Sequence, residues 1–177
     1  METAAARPGY ELWRPNREKN GPKATKLLVA VVLLISAALL LIITIGGWDR
    51  LQGASVGLVT ITWVVLYILF AFLVMRWSRG ILPVASALAI LMVIFAAVSA
   101  SGWFARDKDG LTSPALPEEL IGLLVVLVIP IQLLLIAVAM YGFTQNWHVE
   151  EERPIGGGPP PHDDAFENDP RRDPTPA

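Results

Sequence analysis

The sequence contains no cysteine. This absence excludes a disulfide framework, a thiol redox relay, iron–sulfur ligation and haem attachment through thioethers. Four-helix membrane oxidoreductases that pass electrons through cysteine pairs are therefore excluded on chemical grounds. Charge is also scarce, because Asp, Glu, Lys and Arg make up 17 % of the 177 residues, whereas apolar residues make up 54 %. Soluble proteins average about 25 % charged residues, so this composition indicates a membrane protein.

Four apolar runs account for most of the hydrophobic residues, and each is long enough to cross a bilayer as a helix. They lie at 27–45, 56–75, 81–103 and 120–141. The predicted fold class is all-α: a polytopic membrane protein with four transmembrane helices in a compact bundle and disordered tails. The first run exceeds the 7–15 residues of a signal-peptide core, so an uncleaved helix is expected. The tight connection at 76–80 predicts that the second and third spans are antiparallel neighbours.

None of the four runs contains Asp, Glu, Lys, Arg or His. Proton-coupled pumps and many ion-coupled carriers need an ionisable group inside the membrane, so these classes are disfavoured. A haem held by two histidines is excluded as well, because His148 and His162 both lie outside the runs. The sequence also lacks the glycine-rich nucleotide motifs, the serine nucleophile elbow and the zinc-protease motif. We therefore predict neither an enzyme nor a cofactor.

The flanking segments differ in charge. Residues 1–26 carry six basic side chains and are predicted to be an irregular cytoplasmic tail. We expect this tail to bind anionic lipid rather than nucleic acid. Residues 142–177 are acidic and rich in Pro and Gly, and are predicted to be a disordered cytoplasmic tail. Placing both termini inside puts eleven of the 14 Lys and Arg residues on the cytoplasmic side. The composition is typical of a high-GC bacterium, which predicts the plasma (inner) membrane.

The fourth run holds the only amide side chain in any span, Gln132, two residues after Pro130. In a functional role, Gln132 lines a pore or binds a ligand near the membrane midplane. In a structural role, which we favour, it hydrogen-bonds to a neighbouring helix. Pro130 frees the carbonyl of Val126, and that acceptor needs a donor from elsewhere in the bundle.

Small residues recur on the spans and allow helix backbones to approach closely. The candidate packing residues are Gly53, Gly57, Thr60, Ala85, Ala89, Ala96 and Ala100. An aromatic line of Trp63, Tyr67 and Phe70 occupies a different face of the second span. It is interpreted as a core or lipid-facing surface rather than as a ligand cage.

No metal site is predicted. Residues 105–110 match three positions of an EF-hand calcium loop, but Ala105 and Leu116 stand where the first and last carboxylate ligands are required. Residues 162–164 offer one His and two Asp, but ordering a Pro/Gly-rich tail around a metal costs too much conformational entropy.

The function predicted from the sequence is non-enzymatic. The protein is expected to be an accessory or scaffold subunit that acts through helix packing and tail contacts. Its partners would be the lipid bilayer and a membrane protein or further copies of itself. The alternative is a small transporter or oligomeric pore built around Gln132, Thr60 and Thr62.

Overall fold

The computed structural model of the protein describes residues 10–51, 53–104 and 115–156. The elements follow in the order β1 (Tyr10–Trp13), α1 (Pro15–Glu18), α2 (Asn20–Gly46), a one-turn 3₁₀ helix (Trp48–Arg50), α3 (Ala54–Met75), α4 (Ile81–Phe104), α5 (Glu118–Thr144) and β2 (Glu151–Pro154). Helices α2 to α5 are each long and apolar enough to cross a membrane. The predicted all-α fold with four spanning helices is therefore confirmed.

The helices extend beyond the apolar runs. Helix α2 begins at Asn20 and α5 ends at Thr144, and each has 27 residues. At 1.5 Å per residue, such a helix is about 40 Å long, which exceeds the hydrocarbon core of about 30 Å. The apolar runs correspond only to the part of each helix inside the hydrocarbon core, whereas the helical hydrogen bonds continue into the headgroup region. The first turn of α5 carries Glu118 and Glu119, whose carboxylates interact favourably with the positive end of the helix dipole.

The four spanning helices form an incomplete ring. Helix α2 packs against α3 and α5, and α4 packs along α5, but α3 and α4 touch only sparsely. The two helices are joined by the tight turn and touch each other, as expected of antiparallel neighbours, but the contact between them is sparse. The rings of Trp63 and Phe95 meet edge to face between these helices, with centroids 5.9 Å apart. These rings bridge the space between the two helices.

The interior of the bundle holds small side chains as well as large ones, and many further large apolar side chains face outward. Ala85 and Ala89 are fully buried on α4, which packs mainly on α5. Leu58, Val98 and Leu123 are among the most exposed large apolar side chains. Lipid tails are as apolar as leucine, so this outer surface suits a bilayer. The chain is an integral membrane protein.

We call the end of the bundle that holds the outermost described segments, residues 10–19 and 145–156, and the 76–80 turn the terminal end. The opposite end, which holds the 3₁₀ helix and residues 115–117, is the loop end. At the terminal end, β1 and β2 pair antiparallel, with Tyr10 opposite Pro154 and Trp13 opposite Glu151.

This pairing corrects the prediction of irregular tails. Within the described residues, 10–26 and 142–156 are ordered, and Trp147 is fully buried with its ring edge-on to Trp77 at 5.4 Å. These contacts join segments far apart in the chain, so local composition does not reveal them. The remaining tail residues lie outside the described part of the chain.

Candidate functional site

Gln132 and Tyr67 form a buried polar pair inside the bundle. The Tyr67 hydroxyl on α3 donates a hydrogen bond of 2.8 Å to Gln132 Oε1 on α5, and both residues are fully buried. The Nε2 group of Gln132 has no hydrogen-bond partner. Gln132 thus makes an interhelical hydrogen bond, as the structural interpretation of the sequence expected. The sequence analysis missed Tyr67 as the partner, although a phenol in an otherwise apolar helix is a usable signal.

Pro130 lies on a different side of α5 from Gln132. Pro130 is exposed, and α5 continues through it without a break from Glu118 to Thr144. Two residues along a helix correspond to about 200° of rotation, so Gln132 faces the interior while Pro130 faces outward. Pro130 therefore takes no direct part in the polar pair.

An apolar groove of about 670 Å³ opens between α3 and α4 at their loop-end halves. Helices α2 and α5 form its floor through residues such as Leu40 and Val128. On α4 the lining extends from Met92 to Trp103, about 16 Å of helix. Its volume and apolar lining are those of a typical small-molecule site.

Most polar side chains in the groove already have partners on their own helix. The hydroxyl of Thr60 donates to the Val56 carbonyl at 2.9 Å, and that of Thr44 donates to the Leu40 carbonyl at 2.7 Å. Trp63 also lines the groove, and its indole Nε1 is buried on the side of the Tyr67 hydroxyl, one turn along α3.

The two predicted packing glycines of α3 have separate roles. Gly53 is exposed at the N-cap of α3 with φ of 144°, a conformation that favours glycine. Gly57 is buried, and a Cβ built there would lie 2.5 Å from the Trp48 ring and 3.1 Å from Leu51. Gly57 therefore accommodates the 3₁₀ turn and the residue after it.

The loop end is fastened by an ion pair and a backbone contact. Arg50 Nη1 lies 2.7 Å from Glu118 Oε1, and only 6 % and 15 % of these side chains are exposed. Nearby, the Leu116 amide donates to the Gly46 carbonyl at 3.1 Å. These contacts tie the end of α2 and the 3₁₀ turn to the start of α5.

The terminal end carries a cluster of cations around His148. Partial burial lowers the pKa of His148, and the positive charges of Arg17, Arg14 and Arg79 lower it further, while Glu150 opposes them. Arg14 is paired with Glu150, and Arg79 Nε donates to the Phe143 carbonyl at 2.8 Å. The cations are thus used largely to hold the chain ends on the bundle.

A strained residue joins this cluster to the helices. Trp77 has φ of 64° at the end of α3, a position usually taken by glycine. Its ring receives Lys26 Nζ at 4.2 Å and contacts Trp147. These contacts compensate for the backbone strain, which is of order 1–2 kcal/mol.

Among the described residues, no group of three or more His, Cys, Asp or Glu side chains is placed to hold a metal ion. The calcium-loop-like segment at 105–110 and the acidic residues at 162–164 lie outside the described part of the chain.

No protein-family model matches the chain, and neither a curated protein nor a solved structure matches it at a significant level. The function is therefore argued from the residues of the protein itself.

Proposed function

We propose that the protein is a non-enzymatic accessory or scaffold subunit of a membrane complex. It binds its partner through the folded chain ends, residues 10–19 and 145–156, which we call the terminal platform. The observation that carries this proposal is an exposed apolar set outside the spanning helices. Leu12, Val149 and Ile155 are 40 %, 40 % and 70 % exposed on the platform.

The platform is held firmly enough to present these side chains. Arg153 Nη2 lies 2.6 Å from Glu11 Oε1 across the two strands, and Asn16 Nδ2 donates to the Asn146 carbonyl at 3.0 Å. A two-stranded sheet has two unpaired edges, and an added strand from a partner satisfies such an edge. Exposed apolar groups and an open sheet edge together favour a protein partner.

We place the platform in the cytoplasm, as the distribution of Lys and Arg favours. Lys19 and Lys23 are exposed at the start of α2, where they would meet anionic headgroups of a bacterial plasma membrane. Reporter fusions test this orientation. A reporter after Gly80 is expected to signal from the cytoplasm and one after Gly110 from the outside; a cytoplasmic signal after Gly110 would overturn the orientation.

Purification in mild detergent tests the accessory role. The full-length protein is expected to retain a stoichiometric partner whose cross-links map to the platform. Leu12→Lys and Ile155→Lys are expected to release that partner, whereas Glu151→Gln, a conservative change on β2, is expected to retain it. Recovery of a monomer without a partner, or equal retention of the partner by all variants, would contradict the proposal.

The transporter or pore alternative has weaker support. A pore lined by Gln132 needs this amide to face water, but the residue is fully buried and hydrogen-bonded to Tyr67. Thr62 is exposed on α3, but its hydroxyl donates to the Leu58 carbonyl at 2.9 Å. If the protein produced a solute flux in reconstituted vesicles and Gln132→Leu abolished it, this result would support the alternative.

A further inference from the structure

We propose that the terminal end binds the phosphate group of one anionic phospholipid between the guanidinium groups of Arg17 and Arg79. The site lies where the terminal platform meets the 76–80 turn. It depends on how the platform packs against the helices and not on the protein partner proposed above. Lipid binding and partner binding are therefore tested separately, and either can fail without the other.

Both guanidinium groups are held in place by contacts that use only part of their donors. Arg17 Nε donates to the Trp147 carbonyl at 3.4 Å, and Arg17 Cζ lies 5.6 Å from the centre of the Trp77 ring. Arg79 Nε donates to the Phe143 carbonyl at 2.8 Å, and its Cζ lies 4.4 Å from the centre of the Phe143 ring. Both side chains are partly exposed, and their Nη groups make no hydrogen bond or ion pair with the described residues. Oriented guanidinium groups with free Nη donors match the oxygens of a phosphate.

The two arginines lie close to the same imidazole, that of His148. Burial lowers its pKa most, and the positive charges of Arg17, Arg14 and Arg79 lower it further. Glu150 acts in the opposite direction, but its carboxylate is paired with Arg14. Arg17 and Arg79 thus leave an excess of positive charge in one place, and an anion bound there relieves their repulsion.

The level of the site along the bundle favours a lipid over a free anion. The 76–80 turn directly follows Met75, the last residue of α3 and of its apolar run. Arg79 belongs to this turn, and the guanidinium group of Arg17 lies over the ring of Trp77 in the same turn. Both cations therefore lie just outside the hydrocarbon core, in the headgroup region. A phospholipid bound there keeps its acyl chains in the bilayer, whereas a free phosphate gains nothing from the membrane.

Native mass spectrometry of the purified full-length protein in detergent tests the proposal. The probes are dioleoylphosphatidylglycerol, which has a net negative charge, and dioleoylphosphatidylcholine, whose phosphate charge is balanced by its choline group. We expect saturable binding of one phosphatidylglycerol per chain and binding of phosphatidylcholine that is at least tenfold weaker. Inorganic phosphate in excess is expected to leave the lipid bound. Displacement of the lipid by phosphate would contradict the proposal, because it would show that the site takes the free anion.

Two arginines of the 76–80 turn provide a matched pair of variants. Arg79 affects the pKa of His148, whereas Arg76 is not among the groups that do so and lies over the Phe72 ring at 5.6 Å. Arg79→Gln is expected to weaken phosphatidylglycerol binding at least tenfold, because it removes a charged donor to the phosphate. Arg76→Gln removes the same charge from the same turn and is expected to leave binding nearly unchanged. Equal losses in the two variants would contradict the proposal, since they would show that positive charge alone attracts the lipid.

Arg17→Gln provides a second variant on a different segment of the chain. It is expected to weaken binding as Arg79→Gln does, whereas Lys19→Gln, two residues further on and exposed, is expected to leave binding nearly unchanged. Both arginines also hold the chain ends, so thermal unfolding is measured with and without lipid. Phosphatidylglycerol is expected to raise the Tm of the wild-type protein by mass action, but not that of Arg17→Gln or Arg79→Gln. Equal binding of the two lipids, or wild-type lipid binding by both variants, would overturn the proposal.

Discussion

The hydrogen bond of 2.8 Å from Tyr67 to Gln132 joins α3 and α5, two helices that share few other contacts in the described structure. It crosses the ring of helices one turn beyond Trp63, the last groove-lining residue of α3. A polar contact in this position orients two elements that apolar packing alone does not bring together.

Replacing the two partners separately and together measures this contact. Tyr67→Phe removes the donor to Gln132 Oε1, and Gln132→Leu removes the acceptor of the Tyr67 hydroxyl proton, so each is expected to destabilise the protein by about 1–2 kcal/mol. The double variant is expected to recover part of the loss, since membrane hydrogen bonds couple by about 0.6 kcal/mol on average. Thermal unfolding in detergent provides the measurement, and purely additive losses would contradict the interpretation.

The Arg50–Glu118 ion pair predicts a localised loss of stability at the loop end. Glu118→Gln is expected to cost about 1–3 kcal/mol, because it removes one negative charge that lies against a largely buried guanidinium. Glu119→Gln is the control, since Glu119 is exposed in the same first turn of α5. Thermal unfolding and hydrogen exchange at residues 48–51 report the change. Equal losses of stability in the two variants would show that the ion pair adds nothing to the interaction of a carboxylate with the helix dipole.

The sequence revealed those features that depend on long apolar runs. The four spanning helices and the buried alanines of α4 follow from composition and spacing, because each run must form its own backbone hydrogen bonds in lipid. The sparse contact between α3 and α4 could not be predicted from the sequence, because it depends on how Trp63 and Phe95 meet across the two helices. The short turn at 76–80, considered alone, predicts close packing of α3 against α4 instead.

The ordered chain ends were missed for a related reason. Arg14 pairs with Glu150, and Trp77 packs against Trp147, so each contact joins residues from distant parts of the chain. Charge and proline content describe each end separately and predict irregular structure. Only the antiparallel arrangement of four helices, which returns both ends to the same side, brings the segments together.

Gly46 provides a test of the loop-end packing. A Cβ at Gly46 would lie 2.8 Å from Leu116 Cγ and 3.3 Å from its Cβ, so Gly46→Ala must displace Leu116 and strain its backbone hydrogen bond. We expect a destabilisation of about 1–3 kcal/mol, typical of overpacking. Gly21→Ala in the same helix meets no atom within 4 Å and is expected to be neutral or stabilising. Thermal unfolding distinguishes them, and a stable Gly46→Ala protein would refute the close contact.

The lowered pKa of His148 predicts that the terminal platform loosens in mild acid. Burial and the nearby arginines hold the folded-state pKa below the ordinary 6.5, so the unfolded segment binds a proton first as the pH falls. The stabilising contribution is therefore complete above about pH 6.5 and is lost as the pH falls toward the folded-state pKa. The effect is expected to be small, because the imidazole is exposed and solvent screens its neighbours.

Hydrogen exchange of β1 and β2 at pH 7.5 and 5.5, corrected for intrinsic rates, measures this loosening. His148→Gln is expected to flatten the pH dependence, because the replacement side chain does not titrate. His162→Gln, which changes the only other histidine in the sequence, is expected to leave the dependence intact. An unchanged slope in His148→Gln would show that the imidazole of His148 is not the source of the pH response.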